Sequence, residues 1–111
     1  MIAIVDYDMG NVASVANMLK RIGSAEVVVT RDPEELRAAD KVILPGVGAF
    51  DKGMKSLNAL GLSRVLAELA LTRKIPVLGI CLGMQLMTRT SEEGSCKGLG
   101  WIEADAVRFR F

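Results

Sequence analysis

At 111 residues, with Lys+Arg 14 against Asp+Glu 13 and a net charge of +1, the chain has the length of one cored domain. It lacks the electrostatic footprint of a nucleic-acid binder or a polybasic membrane anchor. Half the residues are hydrophobic, only 5% are aromatic and 11 are glycine, the profile of an α/β domain built from Val, Ile, Leu and Ala.

Apolar blocks of strand length alternate with blocks of helical period. Ile2-Ala3-Ile4-Val5 reads as a buried strand. Gly10 and Asn11 open a helix in which Val12, Val15, Met18, Leu19 and Ile22 keep helical spacing; Lys20 and Arg21 lie near its end and Gly23 can supply a left-handed cap. Ala25 to Thr30 predicts the second strand. Asp32-Pro33-Glu34-Glu35 predicts a helix start, with Asp32 as cap, Pro33 in the first turn and Glu35 at the capping-box position. Lys41 to Leu44 predicts a third strand, ended by Pro45-Gly46-Val47-Gly48. A helical stretch follows from about Phe50, breaks near Gly61 and resumes through Val65, Leu66, Leu69 and Ala70. Ile75 to Ile80 predicts the fourth strand and Leu82 to about Thr90 the next helix, with Met84, Leu86 and Met87 towards the core. "SEEGSCKGLG" reads as a loop, and Trp101 to Phe111 as one or two strands with Ala106, Val107, Phe109 and Phe111 as apolar members.

This alternation predicts an α/β fold with a doubly wound, mostly parallel sheet, right-handed crossovers and helices on both faces. The sequence stops at "VRFRF", a strand with no turn or capping helix after it, so residues 1–111 are expected to be the N-terminal part of a single, larger domain. The start "MIAIVDYD" lacks the basic region of a signal peptide, and no apolar stretch approaches the roughly 20 residues of a membrane span. Cys81 and Cys96 suit reduced thiols, and a cytoplasmic setting without a membrane is expected. With two cysteines and no histidine a zinc set is not available, and no cofactor is expected.

In open α/β sheets ligands bind beyond the carboxyl ends of the strands. "DYDMGN", "PGVGAF" and "GICLGMQ" follow the first, third and fourth strands. Gly79-x-Cys81-x-Gly83 has the layout of a nucleophile elbow with cysteine at its centre. A tight strand-to-helix turn would strain that residue and aim its side chain above the sheet. The helix N-terminus would then favour thiolate, and the Leu82 N–H would point at a developing oxyanion. The competing reading is a small apolar residue ending a buried strand. Gln85, four residues on, would reach the same mouth. "PGVG" offers further N–H groups or is a plain turn. Asp6, Asp8 and Asp51 could imitate a phospho-acceptor site, yet Pro45-Gly46 stands where a receiver domain needs its aspartate.

Taken together, "DYDMGN", "ILPGVGAFDKGM", "PVLGICLGMQLM" and "SEEG", followed by "GLGWI" and "VRF", resemble the class I (triad-type) glutamine amidotransferases, most closely the glutaminase subunits of imidazole glycerol phosphate synthase. The resemblance covers all 111 residues but only about the first half of a family member. It implies a flavodoxin-like amidotransferase fold, here truncated. It makes Cys81 the nucleophile towards the glutamine carboxamide. Leu82 with Gly46, Val47 and Gly48 would form an oxyanion hole, in a strand that has to reorient first. Gln85 and Glu93 would bind glutamine, and Asn11 would face a partner. The implied partner is a (β/α)8-barrel synthase subunit of histidine biosynthesis that receives ammonia through a tunnel.

The family's catalytic histidine and its orienting glutamate lie beyond the part matched, and the chain has no histidine. The 111 residues alone are therefore expected to be inactive as a glutaminase. Two other readings stay open: a paralogue supplying ammonia in cell-surface sugar biosynthesis, and a non-catalytic flavodoxin-like scaffold with an inert Cys81.

Overall fold

A computed structural model describes residues 1–23 and 26–107. Four parallel strands form its sheet: β1 (Ile2–Val5), β2 (Val27–Thr30), β3 (Lys41–Leu44) and β4 (Val77–Gly79), in the order β2-β1-β3-β4. The β-branched runs "IAIV", "VVVT" and "KVIL" suit strands covered on both sides. β4 is shorter than the sequence suggests, and Ala25 lies outside the described residues.

The helices are α1 (Val12–Arg21), α2 (Pro33–Arg37), α3 (Phe50–Ala59), α4 (Leu62–Ala67) and α5 (Leu82–Leu86), with a π-helical turn at Glu68–Thr72 continuing α4. The path from β1 to β2 runs one way across the sheet, and the paths to β3 and β4 run the other way. Right-handed crossovers therefore put α1 on one face and α2, α3 and α4 on the opposite face. The fold is doubly wound as expected.

The core lies on the α2–α5 side. Ala3, Val5, Val42 and Leu44 from the sheet pack with Leu36, Phe50, Met54, Leu57, Leu62, Leu66, Leu69, Leu82 and Leu86, all nearly without exposure. Cutting a buried leucine of this set to alanine costs about 2–5 kcal/mol. The other face is more thinly covered. Within α1 no residue is fully buried, and Met18 and Ile22, which share its apolar spacing, are exposed.

Local signals explain the helix starts. The Asn11 side chain accepts from Ser14 N–H at 3.1 Å and caps α1, and Gly23 takes φ +85° after it. Asp32 caps α2 by accepting from Glu34 N–H at 3.0 Å. Glu35 does not complete a capping box: its carboxylate accepts from Thr30 Oγ1 at 2.7 Å, and Thr30 Oγ1 in turn accepts from Asp32 N–H. Gly61, at φ +70°, separates α3 from α4 where the sequence breaks its period.

The C-terminal part departs most from expectation. α5 ends at Leu86, not near Thr90, because a returning loop takes its last carbonyls: Leu99 N–H donates to Leu86 O at 2.7 Å and Ile102 N–H to Met87 O at 3.0 Å. "SEEGSCKGLG" is not wholly loop, since Thr90–Ser91 (β5) pairs in parallel with Asp105–Ala106 (β6). Met84 is more than half exposed, against the expectation of a core position. Of the apolar members expected in the last strand, Val107 is exposed, and Phe109 and Phe111 lie outside the described residues.

Candidate active site

Cys81 stands between β4 and α5 with φ 53° and ψ −117°, a left-handed conformation that L-residues rarely adopt. Its side chain is exposed. The flanking glycines show why the turn closes. A β-carbon on Gly79 would lie 2.5 Å from Met87 Sδ and 2.7 Å from the Met84 Cα, and one on Gly83 would lie 1.8 Å from the Leu44 carbonyl oxygen. Only glycine at both positions lets α5 fold back onto β4 and the end of β3. The five-residue α5 brings less helix dipole than the longer helix expected.

The N–H groups beside the thiol already have partners. Leu82 N–H donates to the Gly46 carbonyl at 3.0 Å, and Gly83 N–H donates to Ile80 O at 2.9 Å. The Leu82 N–H is thus not aimed at an open oxyanion position; a rotation of the Gly46–Val47 peptide would free it. The neighbouring geometry suits such a rotation. Gly46 is buried, Val47 is exposed, and Gly48 holds φ +122°, open only to glycine at low cost.

Gln85 and Glu93 converge one turn further on. With Ser91, Ala106 and Val107 they line a cleft of about 60 Å³, large enough for one end of a small ligand. Ser91 is nearly buried and its Oγ accepts from Glu93 N–H at 3.2 Å, which fixes the start of the acidic loop. Asp51, at the start of α3, fixes the end of that loop. Its carboxylate accepts from Ser95 N–H at 2.9 Å, Ser95 Oγ at 3.1 Å and Cys96 N–H at 2.8 Å. These bonds to the charged form lower its pKa to about 2. A β-carbon on Gly94 would come 2.2 Å from Asp51 Oδ1, so a side chain there would displace the carboxylate from its clamp.

The three aspartates that could imitate a phospho-acceptor site do not converge. Arg31 pairs with Asp6 at 3.2 Å and with Asp8 at 2.6 Å, holding the Asp8 carboxyl below its usual range, while Asp51 serves the 95–96 loop. Asn11 uses its side-chain oxygen for the α1 cap, next to Gly10, whose β-carbon would meet the Gly46 Cα at 3.1 Å. "DYDMGN" and "PGVG" therefore touch at the β1/β3 boundary, where the strand order reverses and α/β folds open a crevice.

Sequence reasoning passed over three residues: Tyr7, Ser91 and the clamping role of Asp51. Tyr7 is wholly buried, its hydroxyl donates to Pro45 O at 2.5 Å, and burial pushes the phenol well above its usual pKa. A tyrosine and a methionine, both buried, inside a loop that also carries Asp6, Asp8 and Asn11 were the available signal.

The sequence pattern of the family described as "Glutamine amidotransferase class-I" matches residues 3–99. The chain is 54% identical over 110 residues to the "Imidazole glycerol phosphate synthase subunit HisH 2" of Methanococcus maripaludis, covering 99% of this chain and 54% of that protein. It is 51% identical to the protein of the same name from Pseudomonas aeruginosa, covering 98% of this chain and 54% of that one. The "Imidazole glycerol phosphate synthase subunit HisH" of Bdellovibrio bacteriovorus is 49% identical, with 99% and 53% covered. Among solved structures, a "Crystal structure of glutamine amidotransferase" superposes with a TM-score of 0.78 at 22% identity, covering 97% of this chain and 57% of that one. The chain thus spans about half the length of the curated relatives it matches.

Proposed function

Because the chain belongs to the class-I glutamine amidotransferases, we propose that it carries the nucleophile and the glutamine-binding cleft of a glutaminase subunit of an imidazole glycerol phosphate synthase. The observation that carries this reading is Cys81 itself: an exposed thiol held at φ 53° by two glycines whose β-carbons have no room.

In the proposed reaction the Cys81 thiolate attacks the carboxamide carbon of glutamine, and the carbonyl oxygen becomes an oxyanion. Leu82 N–H, released from Gly46, and the rotated N–H groups of the Gly46–Gly48 segment stabilise that charge. Collapse breaks the C–N bond, the nitrogen leaves as ammonia carrying the proton that the Cys81 thiol gave up, and a γ-glutamyl thioester remains on Cys81 for water to hydrolyse to glutamate. Glu93, near Gln85, is suited to the substrate's ammonium.

The 111 residues contain no histidine, so no imidazole here takes up and returns the proton. On this reading the 111-residue chain alone turns over no glutamine. The released ammonia passes to a (β/α)8-barrel synthase subunit, with Asn11 and the loop around it facing that partner, in a cytoplasmic setting. Among the described residues no helix is long and apolar enough to cross a membrane.

A diazoketone analogue of glutamine tests the reading, since it alkylates an activated thiol in a glutamine site. Mass spectrometry is expected to find Cys81 modified much faster than Cys96, with protection by glutamine. Equal rates, or no protection, would overturn it and favour the scaffold with an inert Cys81. A second reading within the family rests on names: the relatives from M. maripaludis, P. aeruginosa and Vibrio vulnificus all carry the number 2. The two Campylobacter jejuni relatives carry the number 1, so the numbering leaves this reading, a paralogue that feeds a related synthase in cell-surface sugar biosynthesis, open beside the first. Mixing the protein with each synthase and measuring which complex forms separates the two.

A further inference from the structure

Tyr7 is the one tyrosine of the chain and it is wholly buried, although a phenol normally keeps its hydroxyl in reach of water. It is tied at both ends. Its backbone carbonyl accepts from Ser56 Oγ of α3 at 2.5 Å, and its hydroxyl donates to the Pro45 carbonyl at 2.5 Å. The next carbonyl along the chain, that of Gly46, is the one that accepts from Leu82 N–H. Gly46 has no side chain because the space is taken: a β-carbon would stand 2.2 Å from the Tyr7 hydroxyl and 3.1 Å from the Leu82 Cβ. Two adjacent peptides are thus held by two donors, Tyr7 on Pro45 and Leu82 on Gly46.

We infer that Tyr7 is a positioning residue for the oxyanion strand: its hydroxyl anchors the Pro45 peptide and so keeps the Gly46 carbonyl seated on Leu82 N–H in the resting state. The inference rests on the glutaminase reading for what the strand does, and on the buried hydrogen bonds for how it is held. Rotation of the Gly46–Val47 peptide can then occur about a fixed Pro45, with Gly46 on its N-terminal side and Gly48 one residue beyond Val47. Without the anchor the whole Pro45–Gly48 segment shifts more readily, and the Leu82 N–H loses its acceptor more of the time. A buried hydrogen bond has the strength such an anchor needs, enough to set the resting state yet little enough for substrate to overcome.

Amide hydrogen exchange of the 111-residue chain reads this directly. Leu82 N–H reports the anchored carbonyl, and Ile80 N–H, which donates to Leu44 O at 3.0 Å, reports the adjoining strand pair. In Tyr7→Phe the ring volume is kept and the hydroxyl is lost. Leu82 exchange is expected to accelerate roughly tenfold relative to Ile80, the effect of one hydrogen bond of ordinary net strength. A merely structural role would speed both amides together, and an unchanged Leu82-to-Ile80 ratio overturns the inference.

Should Tyr7→Phe fail to fold, uniform replacement of tyrosine by fluorotyrosine modifies Tyr7 alone, because the chain has no other. The more acidic phenol is a stronger donor, so Leu82 exchange should slow relative to Ile80; no change overturns the inference. Exchange does not depend on Cys81 being a nucleophile. A shifted ratio without diazoketone labelling removes the glutaminase reading and leaves the anchor, whereas labelling with an unchanged ratio removes the anchor alone.

Discussion

The backbone of Gly83 is pressed so closely on Leu44 that a β-carbon there would stand 1.8 Å from the Leu44 carbonyl oxygen. The obstacle is main chain at the end of a central strand, which cannot swing aside as a side chain can. Gly83→Ala must therefore push α5 off β3 and open the turn at Cys81. The variant is expected to lose the selective labelling of Cys81, its rate falling to that of Cys96, and to unfold at lower denaturant. Retention of the Cys81 preference would show that the turn does not depend on this contact.

Asp51 ties the loop after Glu93 to the start of α3, with its carboxyl lowered to about 2 from an ordinary value of 3.8. A depressed folded-state pKa contributes stability that is complete above the unfolded value and is lost as pH falls through the folded one. The clamp is thus intact at neutral pH and is released between about pH 4 and pH 2. Asp51→Asn cannot offer charged acceptors to Ser95 and Cys96. The wild type is expected to lose stability more steeply than Asp51→Asn across that window, as followed by thermal unfolding at stepped pH. Parallel curves would mean that the clamp carries no linked proton.

Legibility in the sequence followed the range of the forces involved. β1 and β3 fall at the residues expected because runs such as "IAIV" and "KVIL" specify a strand locally. The Cys81 turn was readable from two glycines within five residues, and the structure gives each its steric cause. What was misjudged is non-local. α5 stops early because residues 99–102 return to its carbonyls. Glu35 leaves its capping box for Thr30 on the preceding strand. Asp51 finds its partners 44 residues away, and Tyr7 finds Pro45 38 residues away. No periodicity encodes such pairings.

β4 lies at one end of the sheet order, and Leu78, paired with Ile43, is more than half exposed there. Beside it Ile2, Ile43, Pro76 and Val77 line an apolar hollow of about 220 Å³. An exposed apolar edge strand is a template for pairing with another chain. Leu78→Lys is expected to lower self-association of the 111-residue chain, seen by light scattering at rising concentration, with little change in unfolding midpoint. Equal association in both forms would place the sticky surface elsewhere.

Cys81 holds its position against backbone strain. At φ 53° and ψ −117° an L-residue is kept away from its own steric preference, whereas glycine reaches the same angles freely. Cys81→Ala keeps the strain, because alanine also has a β-carbon, and it serves as the reference for loss of the thiol. Relative to that reference, Cys81→Gly is expected to stabilise the chain by about 1 kcal/mol, the lower end for relief of such a conformation after glycine's greater unfolded-state entropy is offset. The thiol is exposed, so its removal leaves no cavity to confuse the comparison. Denaturant unfolding of the two variants measures the difference. A Cys81→Gly chain no more stable than Cys81→Ala would mean that the turn relaxes around its central residue, and an elbow that relaxes cannot hold a nucleophile in fixed aim.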